Sequence, residues 1–304
     1  MNNFSQIKLG VAPINWCNDD MPELGGDIPL DTCFMEMREA GYTGTEVGHK
    51  YPKNPEDLKN LIKNYDLEIA SCWHSTFYAD SSQHQKEHEL LKNRLDFLNK
   101  VGSKCVNLSE CTRTIHSDKA IYLNQKPHLS ESEWDGFIAG IDKAAEICIQ
   151  HGIKPAYHHH MGTVVQNLDE IKRLMDATDS KKLGLCIDTG HLSYAGIDPL
   201  DIIHQYGDRI AHVHLKDLRS EVLSSYGHKV SFLDAVLSGI FTVPGDGLIA
   251  FKPIIKAIMD LGYTGWFVVE AEQDPQKANP FEYARKSREY LEQTFHKLSE
   301  SRER

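Results

Sequence analysis

Short runs of strand-forming residues alternate with amphipathic stretches along almost the whole chain, and this alternation limits the fold more than any other feature. The strand candidates are IKLGVA, GTEV, LEIASCW, KCVNL, IKPAYH, LGLCID, RIAHVHL and GWFVVE. Between them, segments such as NPEDLKNLIKNYD, SESEWDGFIAGIDKAAEICIQHG, NLDEIKRLMDAT and FKPIIKAIMDLG repeat apolar residues at helical spacing. Ser130 stands where a helix N-cap is expected. Strand followed by helix, over and over, demands parallel strands joined by crossovers. Eight such units predict a closed (β/α)8 barrel. An open doubly wound sheet is the alternative, but no G-x-G-x-x-G follows the first strand. No linker, low-complexity tract or repeat divides the 304 residues, so one domain over 1–304 is expected, its last few residues a loose tail. Two longer segments, about 111–130 and 217–250, are expected as loops over the barrel mouth.

Alternate side chains of a barrel strand face the interior and the surrounding helices. In RIAHVHL that rule sends Ala211, Val213 and Leu215 outward and leaves His212 and His214 inside. In LGLCID it leaves Gly184, Cys186 and Asp188 inside, in FVVE Val268 and Glu270, and in IKPAYH Ala156 and His158. Four successive strands therefore end on an inward polar residue: His158, Asp188, His214 and Glu270. Active sites sit at the carboxyl ends of barrel strands. Two carboxylates and two imidazoles converging there repel and lose solvation, and a divalent cation removes both problems. A mixed N/O shell suits Mn²⁺, Co²⁺, Zn²⁺ or Fe²⁺. The plain alternative is a hydrogen-bonded polar plug with no metal.

The same parity places Glu46 and His74 inward on strands two and three, while the phase at Glu110 on strand four is ambiguous. The run YHHHMG sets His160 two positions beyond His158, with His159 on the opposite face, where it can support the ligands by hydrogen bonding. His191 opens the connection after Asp188, Lys216 and Asp217 follow His214, and Asn15 and Trp16 cap strand one. For each of these, substrate contact and local structure are both open readings; Trp16 and Trp73 read as wall. VPGDG reads as a turn before the last helix.

A net charge of −11 argues against nucleic acid as a partner, because phosphate binding needs a basic surface. No apolar run approaches a membrane span, and MNNFSQIKLGVAP lacks the pattern of a signal peptide, so a cytoplasmic protein is expected. Seven scattered cysteines (17, 33, 72, 105, 111, 148, 186) form no C-x-x-C pair and suit a reducing compartment. Cys111, beside Glu110, is the one placed to meet a thiol cofactor, and an inert core residue is its plain reading. A homo-oligomer is compatible with the sequence.

With these residues assembled, the chain resembles the xylose-isomerase-like barrel superfamily and, within it, the inosose dehydratase family. The resemblance rests on GVAPINWCNDDMPELGGD, GYTGTEVGHKYP, YHHHMGTVVQ, CIDTGHLSYAGIDP, RIAHVHLKDLR, GIFTVPGDG and GYTGWFVVEAEQDPQKANPFEYA. DTGH and H-x-H-x-K occur widely in the superfamily; PINWCNDDMPELGGD, the triple histidine with GTVVQ, and VEAEQDP are more specific. The resemblance implies dehydration of a cyclic polyol ketone, 2-keto-myo-inositol, to a trihydroxycyclohexane-1,2-dione through a metal-stabilised enediolate, with Co²⁺ or Mn²⁺ and a link to glutathione. It implies Asp188, His214 and Glu270 as metal ligands, with Glu272 the rival of Glu270. The superfamily's usual strand-five glutamate is replaced here by His158, so His158, His160 or a water takes that place. Glu270 and His160 are then candidate bases, His74 and Lys216 candidate acids, and Glu46, Asn15, Trp16, Glu110 and His191 candidate substrate contacts. A metal-dependent sugar epimerase or isomerase would share the enediolate without losing water; a non-catalytic sugar-binding barrel would bind without turnover. An endonuclease for abasic DNA shares the barrel but needs more histidine ligands and a basic groove.

Overall fold

The structure, a computed structural model, describes residues 7–303. Its main sheet contains β1 (Lys8–Val11), β2 (Gly44–Thr45), β3 (Glu68–Ile69), β4 (Trp73–Thr76), β5 (Cys105–Glu110), β6 (Lys154–His158), β7 (Gly184–Asp188) and β8 (Ile210–Leu215). Two short strands, β9 (Asp217–Leu218) and β10 (Phe241–Thr242), pair antiparallel outside it, and β11 (Trp266–Val269) completes it. The order is β3-β2-β1-β11-β8-β7-β6-β5-β4, with every pairing parallel. The two edges, β3 and β4, are pieces of one interrupted strand. Ala70 N–H donates to Thr45 O (2.8 Å) on one side of the break, and Asn107 N–H donates to Cys72 O (2.9 Å) on the other. The sheet therefore closes on itself, and the expected barrel is the one that forms.

Helices follow from local signals. Ser130 caps Glu131–Gln150 through a reciprocal capping box with Glu133, and Asn167 does the same for Leu168–Ala177 with Glu170. Each such cap contributes about 1 kcal/mol. The outer faces of the strands and the inner faces of the helices share one large apolar core that includes Val106, Leu108, Tyr157, Leu185, Ile187, Val213, Leu215 and Phe267. Inside the barrel, small clusters fill the floor: Ala12, Ala70 and Val268, and Cys105, Ala156 and Cys186. A Cβ on Gly44 would overlap the Trp266 ring, so glycine is what lets that indole cross the barrel floor.

Ala211 departs from its expected outward position. A register shift between Leu185 and Cys186 pairs Leu185 with Ile210 and Cys186 with His212, leaving Ala211 as an extra residue packed against the inner Cys186 cluster. The two long segments over the mouth are not loose loops. Residues 217–250 form helices Ser220–Tyr226 and Phe232–Leu237 and the β9–β10 pair, joined to the 111–130 segment by Leu123 N–H to Val230 O (2.9 Å). Leu123, Met161, Tyr194, Phe232 and Phe241 give this cover its own apolar centre. The closing helix runs Pro280–Glu303, over most of the segment expected as a tail; Arg304 lies outside the described residues.

Candidate metal centre

β6, β7, β8 and the residue after β11 deliver His158, Asp188, His214 and Glu270 to one point, all of them buried. His214 Nδ1 lies 3.0 Å from Glu270 Oε2, 3.5 Å from Asp188 Oδ2 and 3.1 Å from His158 Nε2. His158 Nε2 is 3.6 Å from the same Asp188 oxygen. The far side of each ring explains its orientation. His158 Nδ1 meets the His159 carbonyl oxygen (2.7 Å), which can only accept, so its proton sits there and its Nε2 lone pair faces the cluster. His214 Nε2 meets the Glu46 carboxylate (3.0 Å), which leaves Nδ1 as the inward atom.

This donor set fits a divalent cation. Asp188 Oδ2 is fully buried with no hydrogen-bond partner, although its sister Oδ1 accepts from His191 N–H (2.8 Å) at the start of the next helix. The Lys216 ammonium stands 3.5 Å from this oxygen without a hydrogen bond to it, so beside two inward imidazole nitrogens the oxygen keeps a lone pair for a further cation. Burial disfavours charge on His214, yet Cys186, Glu270 and Glu46 together hold it well above the usual imidazole range. Burial raises Glu270 too, but His214 and Lys216 bring it down to about 2. Two nitrogens and two carboxylates form a mixed shell of the kind that Mn²⁺, Co²⁺, Zn²⁺ or Fe²⁺ takes.

Two layers surround the point. Glu46 Oε1 is shared by His212 Nε2 (2.7 Å), His214 Nε2 (3.0 Å), Ser71 Oγ (2.5 Å) and Asn107 Nδ2 (3.3 Å). With every one of these groups directed at one oxygen, Glu46 orients His214 from behind. On the other side, Lys216 Nζ lies 2.7 Å from Glu270 Oε1, 2.7 Å from Glu272 Oε2 and 3.0 Å from His191 Nε2. Burial works against its charge, but Asp188, Glu270 and Glu272 hold its pKa above the ordinary lysine value. His160 Nδ1 meets the Met161 carbonyl oxygen (2.8 Å), so its Nε2 is the open nitrogen, 3.9 Å from Glu272 Oε1. Burial keeps His160 below the usual imidazole value and therefore neutral.

The cavity at this point, about 150 Å³, is lined by His158, His214, Glu270, Glu272, His160, Glu46 and Asn107 from the barrel. Trp73, His116, Asp19 and Asp20 close it from above, with Pro13 and Ile14 as apolar wall. Several expected contacts lie elsewhere. His74 faces the outer helices: Ala70 and Ser71 both point inward at the strand break, so the alternation shifts by one and Trp73 takes the inward place. Burial and nearby Arg94 lower the His74 pKa to about 4. Glu110 is a structural carboxylate, accepting from Thr76 Oγ1 (2.8 Å), Tyr78 N–H (2.9 Å) and Ala79 N–H (3.3 Å). Asn15 accepts from Ala271 N–H (3.0 Å), and Trp16 is buried in the outer core with its indole N–H on Glu36 (2.6 Å). Neither residue, at the end of the short 3-10 turn Pro13–Asn15, is among those lining the cavity.

Lys216 and His191 are not on the cavity wall; Lys216 Nζ lies between Glu270, Glu272 and Asp188 Oδ2 (3.5 Å), and a His191 ring nitrogen comes within 4.8 Å of donor atoms of His158, Asp188 and Glu270. The His159 ring makes no hydrogen bond, so its part in the site is its carbonyl oxygen. Asp217 gathers the N–H groups of Gly245, Gly247 and Ile249 and so shapes VPGDG. Cys111 is buried, its thiol donating to Ser109 O (3.5 Å). The wall groups Asn107, Asp20 and His116 escaped the parity argument. Asn107 shares a face with Cys105, a phase readable only once the strand is placed, and the other two lie in connections that have no alternation to read.

The chain matches the family model described as xylose isomerase-like TIM barrel over residues 26–294. It is 48% identical over 292 residues to the inosose dehydratase of Geobacillus thermodenitrificans, covering 95% of this chain and 98% of that one. Among solved structures, the probable 3-DHS dehydratase of petrobactin synthesis from Bacillus anthracis aligns with a TM-score of 0.69 at 17% identity, covering 93% of this chain and 98% of the other. The IOLI protein with a bound zinc atom aligns with a TM-score of 0.64 at 15% identity, covering 94% and 96%. At such identities these two structures speak for the shared barrel alone. Among the described residues, no helix is long and apolar enough to cross a membrane.

Proposed function

The chain belongs to the xylose isomerase-like TIM barrel family and, within it, to the inosose dehydratases; from that premise and the site's geometry we propose that it removes water from 2-keto-myo-inositol, giving a trihydroxycyclohexane-1,2-dione. The observation that carries this reading is the meeting of His158, Asp188, His214 and Glu270 around a buried Asp188 oxygen that accepts no hydrogen bond. These four residues would hold a divalent cation, Co²⁺ or Mn²⁺ by the family resemblance, which supplies Lewis acidity toward the ketone oxygen.

The chain's own groups divide the remaining work. His160, neutral and with Nε2 open to the cavity, takes the proton from the carbon beside the ketone. Glu272 receives the positive charge that then develops on that ring, 3.9 Å away. Lys216 stays protonated between Glu270 and Glu272, so two neighbouring carboxylates coexist in the ground state. Trp73, whose ring meets those of His158 and His160 edge-on at 5.3 and 5.6 Å, provides an apolar wall that keeps bulk water from the reacting face. The α-proton leaves carbon, the electron pair moves to the ketone oxygen, and its return expels the β-hydroxyl as water. The enol product then relaxes to the dione.

Seven buried free thiols suit work in the reducing cytoplasm. A link to glutathione rests on the resemblance alone, and no cysteine is among the residues lining the cavity. The test is incubation of metal-analysed protein with 2-keto-myo-inositol, following mass and α-diketone absorbance. Loss of one water supports the reading; an isomer of unchanged mass would replace it with epimerisation.

A further inference from the structure

Dehydration needs a proton for the departing hydroxyl, and the expected donors do not line the cavity: His74 lies outside the barrel and Lys216 between the glutamates and Asp188. Resting on the dehydratase reading, we infer that His116 is the general acid that protonates the leaving hydroxyl, with Asp20 as its charge partner and Thr114 as its positioning residue.

His116 comes from the connection after β5 and lines the cavity above the barrel. Thr114 Oγ1 lies 3.2 Å from the Gly162 carbonyl oxygen, to which it can only donate, and 2.6 Å from His116 Nδ1. With its single proton on Gly162, the hydroxyl must accept from the Nδ1–H of His116. That leaves Nε2 as the ring atom for proton transfer, with Asp20 Oδ1 3.5 Å away as its charge partner. Asp20 is itself placed by an Asx turn, its N–H donating to Asn18 Oδ1 (2.8 Å). The carrier segment is tied to the triple-histidine loop by Ile115 N–H to Gly162 O (3.0 Å). Gly162 has φ +81°, and a Cβ there would press within 3.1 Å of the His116 backbone, so the close seam between the two loops needs this glycine.

His116 is also close to the proposed base. Its ring centroid lies 5.1 Å from that of His160, whose own centroid is 5.8 Å from that of His158. Acid and base thus flank one cavity from different loops, as the loss of a proton and a hydroxyl from neighbouring carbons requires. Asp19, the other carboxylate above, is occupied by His49 at 2.6 Å. In the step itself the C–O bond breaks, its electron pair leaves with oxygen, and His116, as the imidazolium paired with Asp20, gives its Nε2 proton to that oxygen to make water while Nδ1–H stays on Thr114. The imidazole regains a proton from solvent at the Asp20 edge. Nothing is oxidised or reduced.

The experiment separates the two halves of the reaction with H116N. Metal content, deuterium incorporation at the α-carbon in D₂O, and dehydration are followed in parallel. A second substrate carries fluorine in place of the departing hydroxyl, a leaving group that needs little protonation. We expect parental metal content and α-exchange, dehydration slower by roughly a hundredfold or more, and fluoride elimination close to the parent's. T114V should show the same pattern more weakly. Retained fluoride elimination also demonstrates that the variant is folded. The inference is overturned if H116N dehydrates within a few-fold of the parent, or if dehydration and fluoride elimination fall together. A parent protein that neither exchanges nor dehydrates would sink the dehydratase reading, and this inference with it; a fully active parent beside an indifferent H116N sinks only the inference.

Discussion

Replacing Glu46 by glutamine probes how the barrel interior holds the proposed ion without touching a ligand. The carboxylate accepts from His214 Nε2 at 3.0 Å and from His212 Nε2 at 2.7 Å, and both histidines are buried. Glutamine keeps the shape and one accepting oxygen, so the His214 ring keeps its orientation and presents Nδ1. What disappears is the negative charge behind the ring, which makes imidazole a stronger donor. Losing such a partner costs about 10- to 100-fold in metal affinity, or roughly 1.4–2.7 kcal/mol. E46Q should fall near the lower figure and E46L near the upper, because leucine also frees the His214 tautomer. Competition with a chelator of known affinity, using Co²⁺ or Mn²⁺, reads the change directly while circular dichroism monitors the fold. If both variants bind the ion within twofold of the parent, Glu46 is not orienting a ligand and the layered description of the site is wrong.

Other expectations follow from individual contacts. D188N keeps an oxygen able to cap the helix Thr189–Tyr194 through His191 N–H, so it should fold, yet it should lose bound metal and dehydration. H74Q should retain metal content and turn over within about threefold of the parent, as its ring faces the outer helices; a loss beyond a hundredfold would return His74 to the site. Cys33, with its thiol 4.0 Å away, lowers the Cys17 pKa to about 7, and Lys50 adds to this against burial, whereas burial pushes Cys72, Cys105 and Cys111 up to about 12. Thiol titration of the native protein at neutral pH should thus show Cys17 reacting first, and C17S should remove that phase.

The four strand ends were readable because β6 and β11 alternate throughout and β7 and β8 alternate from Cys186 and His212 onward, so His158, Asp188, His214 and Glu270 point inward together. Where backbone pairing slips, the same rule fails. The break after Ile69 moves Trp73 inward and His74 outward, and the bulge beside Cys186 turns Ala211 in. Neither slip leaves a proline or glycine in the run LEIASCW or RIAHVHL to announce it. Glu110 looked like a mouth residue because it ends a strand, but its oxygens serve the backbone of the neighbouring connection. His116 and Asp20 depend on how two connections meet over the barrel, and that is decided by tertiary contacts such as Ile115 to Gly162.

On the dehydratase reading, a single ion held by the last four barrel staves is required for loss of water. Metal analysis of the purified protein and of H214A, each assayed with 2-keto-myo-inositol, tests it most directly. One divalent ion per chain and dehydration are expected in the parent, with both gone from H214A. A metal-free H214A that dehydrates at the parent's rate would contradict it.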